Sequence, residues 1–117
     1  SSLLHVDAEL EEIGVACFYN CYSLSHVKTE SIKRLEWGSF MNSGISAFRN
    51  SVLTNIPINC FANSFLQTFI CENVAFAQAN SFENCHLLKI FVAPNLETEM
   101  MMQFYKFNLI CDLDLNN

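Results

Sequence analysis

Six cysteines, three histidines and a recurring set of asparagines are the residues of this 117-residue sequence with most chemistry to offer. Six Cys in a short chain invite either a disulfide framework or a metal centre. Cys17 and Cys21 followed by His26 make a CxxxC run with one imidazole, but a closed zinc site needs a fourth ligand and the sequence supplies none nearby. His5, His26 and His86 read as lone residues at unrelated positions, and carboxylates gather toward the ends, as at Glu9, Glu11 and Glu12 and at Asp112 and Asp114. No GxSxG elbow, HExxH pair or phosphate-cradling glycine loop is present. No catalytic residue, metal site, cofactor or small-molecule substrate is therefore expected.

The elements that would position these residues emerge from internal repetition. Phe18, Phe40, Phe61, Phe82 and Phe104 follow one another at spacings of 22, 21, 21 and 22, and Asn20, Asn42, Asn63 and Asn84 stand two residues after the first four. Eight residues before each Phe lie Leu10, Ile32, Leu53, Val74 and Leu96; five before lie Ile13, Leu35, Ile56, Ala77 and Glu99. Downstream, Phe82, Cys85, Leu88 and Phe91 run at every third position, as do Phe18, Cys21, Leu24 and Val27. The 21-residue repeats lose one position there, reading Phe40, Ser43, Ile45, Phe48 and Phe61, Ser64, Leu66, Phe69. A spacing of three suits neither helix nor strand. It suits a chain that turns a corner every few residues about an axis, as in the coil of a solenoid, where stacked coils bury a continuous apolar column.

One solenoid domain over 1–117 is expected, with repeats at about 10–31, 32–52, 53–73, 74–95 and 96–117. Residues 1–9 read as the tail of a preceding repeat, and the chain as a fragment of a longer one. Short strands near 25–29, 46–50, 67–71, 89–93 and 111–115 should pair into one parallel sheet. The opposite side should carry short strands or helical turns, with Gly14, Gly38 and the Asn column suiting tight backbone there. The fold class is thus an α/β-type repeat solenoid.

The run Ile13-Gly14-Val15-Ala16-Cys17-Phe18-Tyr19-Asn20-Cys21-Tyr22-Ser23-Leu24-Ser25-His26-Val27, echoed from Ser81-Phe82-Glu83-Asn84-Cys85 to Pro94, resembles the BspA-like, or Treponema pallidum type, leucine-rich repeat. The resemblance implies a module without enzymatic activity, associated with adhesion and protein binding in bacterial surface proteins. The family's period is usually nearer 23, and a proline after the long strand stands only at Pro94.

The repeat register bears on the cysteines. Cys21 and Cys85 share a column three coils apart, roughly 14 Å at sheet spacing and far beyond a bridgeable separation. Cys17 and Cys60 share another, two coils apart. Most of the thiols are expected as small buried hydrophobes. The Asn column is expected to serve the turns rather than a ligand.

The outward side of the strands offers a partner surface: His26, Thr68, Ile90 and Asp112 in one row with Ala47, and Lys28, Arg49, Ile70, Val92 and Asp114 in the next. Read along the stack, this face runs from basic through apolar to acidic, which fits protein docking. A net charge of −6 with six scattered Lys and Arg argues against nucleic acid, and the apolar runs are too short to cross a bilayer. The expected function is a non-enzymatic protein-protein scaffold, with cell-surface adhesion implied by the resemblance. The alternative is a structural component of a large intracellular assembly, which unpaired cysteines and the lack of N-x-[ST] sequons favour.

Overall fold

In the computed structural model, which describes residues 4–97 and 110–111, the chain winds as a parallel β-solenoid of about four turns. Long strands line one side: β1 (Leu4–Val6), β3 (Leu24–Val27), β5 (Ala47–Asn50), β7 (Thr68–Cys71), β9 (Ile90–Val92) and β10 (Ile110–Cys111). Two-residue strands line the other: β2 (Glu12–Ile13), β4 (Arg34–Leu35), β6 (Asn55–Ile56) and β8 (Phe76–Ala77).

Each coil turns its apolar residues inward at successive corners. Ile32, Leu53, Val74 and Leu96 are buried at one corner, and Ile13, Leu35, Ile56 and Ala77 at the next, as the second residue of each short strand. The phenylalanines follow. Phe18, Phe40, Phe61 and Phe82 lie in file, with successive ring centroids 5.3, 5.6 and 5.5 Å apart and near-parallel planes. A second file, Phe48, Phe69 and Phe91, stacks at 5.9 and 5.1 Å and meets the first edge-on, as where Phe69 lies 4.9 Å from Phe82 at 83°. Edge-to-face contact between the files is an arrangement the ring quadrupole favours, worth about 0.5–1.5 kcal/mol per pair beyond area burial.

Among the described residues there is no helix, so the α/β class gives way to an all-β solenoid. The hydrogen bonding of the turn-side segment explains why. Alternate amides bond locally, as Cys17 N–H to Gly14 O, Tyr19 N–H to Ala16 O and Cys21 N–H to Phe18 O. Those between them reach the next coil: Ala16 to Trp37 O, Phe18 to Ser39 O and Asn20 to Met41 O. Two left-handed residues per coil enforce this alternation: Asn20, Asn42, Asn63 and Asn84 after each Phe, and Ala16, Gly38, Asn59 and Asn80 before it, with φ between 50° and 65°. Such a residue breaks any helical run. Gly14 is not among them, contrary to expectation, and a Cβ built on it would meet nothing within 4 Å.

The expected single sheet is also divided. β5, β7, β9 and β10 pair in parallel, but β3 pairs with β1 and not with β5. Here a 22-residue coil meets a 21-residue one. The Tyr22 and Leu24 carbonyls press on the next coil, where Gly44 admits them at the place a Cβ would occupy; the opposite step, from β7 to β9, leaves the ladder paired. The Thr29 side chain bridges the opening, donating to Arg49 O at 2.7 Å and accepting from Arg49 N–H at 3.1 Å. Asn50 ties the same region together. Its amide donates to Thr29 O and Ile32 O and accepts from the Val52 and Leu53 amides, so every bond of this buried side chain is made to backbone.

The short strands pair as β2–β4 and β6–β8, not as one ladder. Pro57 accounts for the gap. Its repeat-mate Gln78 donates its amide to Ile56 O, and a proline has no amide to donate to the coil before it.

Candidate functional site

Alternation along the long strands sets the outward face. In β5 the burial pattern places Phe48 and Asn50 inside and Ala47 and Arg49 outside; in β7 it places Phe69 and Cys71 inside. Parallel register then aligns Ala47 with Thr68 and Ile90, and Arg49 with Ile70 and Val92. Ile70 and Val92 are half-buried and Ile90 is 38% exposed, so the centre of this face is apolar and partly open to solvent. His26, Lys28 and Arg49 are exposed at its basic end. Asp112, Asp114 and Phe104 lie outside the described residues.

The divided sheet leaves a cleft of about 220 Å³ between β3 and β5, whose lining includes His26, Lys28, Glu30 and Arg49. Three of the residues singled out on the outward face therefore border an opening rather than a continuous ladder.

A second exposed column lies on the turn side. Val15, Trp37 and Ile58, each three residues before a core Phe, are 51%, 51% and 46% exposed. The repeat spacing carries this signal, since the same alignment that files the phenylalanines files these three.

The cysteines behave as small hydrophobes. Cys17, Cys21, Cys60, Cys71 and Cys85 are all free thiols. Burial raises the Cys60 thiol far above its ordinary range, pushes Cys71 up to about 12 and raises Cys85 against the opposing Ser64 hydrogen bond. Cys85 packs its sulfur on Phe61 O at 3.1 Å. Cys17 alone among the described thiols is exposed.

The histidines correct the sequence reading. His5 and His26 are not unrelated: they are Cα partners across β1 and β3, and their rings stack with centroids 4.7 Å apart. His5 Nε2 also lies 3.0 Å from Asp7 Oδ1. Cys17 and Cys21 do not join His26; among the described residues the cluster of ligating groups is His5, Asp7 and His26.

The family model for the BspA type leucine rich repeat region matches residues 2–110 in six copies. The chain belongs to this family, whose repeat class points to protein-interaction scaffolds. No curated protein and no solved structure matches the chain.

Proposed function

We propose that the chain is a non-enzymatic scaffold that binds another protein through the outward face of its long strands, in the adhesive role associated with the family. The observation that carries this reading is the registered pair of outward rows across β5, β7 and β9, apolar at the centre with His26, Lys28 and Arg49 at one end. Such a surface presents side chains at strand spacing to an extended partner segment.

The exposed Val15, Trp37 and Ile58 column favours a second contact zone on the turn side, because tryptophan and apolar patches are enriched where proteins dock. The immobilised chain should capture a partner from extracts of its native organism. The Ile90→Lys/Val92→Lys double variant should lose that partner at unchanged circular dichroism, while Trp37→Lys/Ile58→Lys keeps it. The reverse outcome moves the contact to the turn side.

A role inside a large intracellular assembly is the rival setting, favoured by five free thiols among the described residues. Thiol counting on protein from its native source separates the two, since a surface protein in an oxidising milieu would not keep its exposed Cys17 reduced.

A further inference from the structure

We infer that His5, Asp7 and His26 form a surface site for a divalent transition metal ion, with zinc the best fit. The parallel pairing of β1 with β3 brings His5 and His26 side by side as registered neighbours, and Asp7 follows two residues after His5. Two imidazoles and one carboxylate make an N₂O donor set, which suits Zn²⁺ and disfavours Mg²⁺ or Ca²⁺, ions that take oxygen.

The geometry is near to what coordination needs. Ligating atoms of the three residues all lie within 4.8 Å of one another. Tetrahedral zinc with nitrogens at about 2.1 Å would hold them roughly 3.4 Å apart. The remaining convergence falls on side-chain torsions, which are free to turn because all three residues are exposed. The backbone needs no change, since strand pairing already sets the separation of the two histidines. Asp7 Oδ1 already lies 3.0 Å from His5 Nε2, so its carboxylate is placed to supply the third ligand, the ion taking the position between them in place of their direct contact. Water takes the fourth position on the open outward side.

This site is independent of the scaffold reading, and it lies beside His26, the residue that also borders the cleft between β3 and β5. Titration calorimetry of the 117-residue chain with ZnCl₂ tests it. One Zn²⁺ per chain is expected with micromolar affinity, weakened at least tenfold in His5→Gln and in His26→Gln. Affinity should be unchanged in His86→Gln, which removes a remote imidazole, and in Cys17→Ser, which removes the exposed thiol. Thermal unfolding in excess Zn²⁺ should shift upward for the parent chain and not for His26→Gln, whose fold is checked by its own metal-free melting curve. Absence of binding below millimolar zinc overturns the site. So does binding that survives both histidine substitutions, or binding abolished by Cys17→Ser.

Discussion

Ala16 adopts the left-handed torsion that other coils assign to Gly38, Asn59 and Asn80, with φ 50°. An alanine there bears a steric penalty of about 1–2 kcal/mol, part of which glycine would return through its larger unfolded-state entropy. Ala16→Gly should therefore raise the urea unfolding free energy by about 0.5–1 kcal/mol; a loss would show that the coil does not turn left-handed at this residue. The buried thiols give a second prediction at this scale. Their folded values lie above the ordinary 9.0, so the folded chain keeps protons that the unfolded chain releases. The stabilisation is fully present below pH 9 and is lost as pH rises from there toward about 12, the value for Cys71. Urea midpoints should fall over that window, less steeply in Cys71→Ala. At neutral pH iodoacetamide should modify Cys17 while Cys60, Cys71 and Cys85 stay protected.

Elements are where one missing residue matters most. The sheet is open between β3 and β5, where the Tyr22 and Leu24 carbonyls crowd the next coil, and Gly44 is the residue that tolerates them. A Cβ at Gly44 would collide with Tyr22 O and stand 2.9 Å from Leu24 O, both backbone atoms that cannot turn aside. Gly44→Ala should cost about 1–3 kcal/mol as overpacking, whereas Gly14→Ala, facing open space, should be neutral or slightly stabilising. Equal effects in urea titrations would contradict the close approach. Much at this scale was legible beforehand: β3, β5, β7 and β9 fall near the residues expected, because each begins on or just after a buried residue of the triplet series, Leu24, Ile45, Leu66 or Leu88. The opening was not, since the spacing changes by one residue both between β3 and β5 and between β7 and β9, and only the first pair is unpaired. Nor was the lack of helix, which rests on two left-handed positions per coil: the Asn column after each Phe is plain in the sequence, but the position before it is filled by Ala16, Gly38, Asn59 and Asn80 and shares no single residue type. The His5–His26 pair was within reach of the sequence, since a spacing of 21 sets His5, in the tail of the preceding repeat, in the same column as His26.

For the whole molecule, two interlocking files of phenylalanine make each coil's core incomplete without the next. Phe40 meets Phe18, Phe61 and Phe48, which belong to three different segments of the chain, so its packing depends on stacking rather than on local structure. This is the physics of a solenoid, in which a repeat's stability lies largely in its interfaces. It also explains how coils of differing length and four different short-strand sequences share one outward face: the register is held from inside. Ring-to-ring nuclear Overhauser contacts in a sample carrying assigned, isotopically labelled phenylalanines test this most directly. Contacts should run Phe18 to Phe40, Phe40 to Phe61 and Phe61 to Phe82, with none between Phe18 and Phe82. A direct Phe18–Phe82 contact, or no contact between Phe40 and Phe61, would contradict the stacked register.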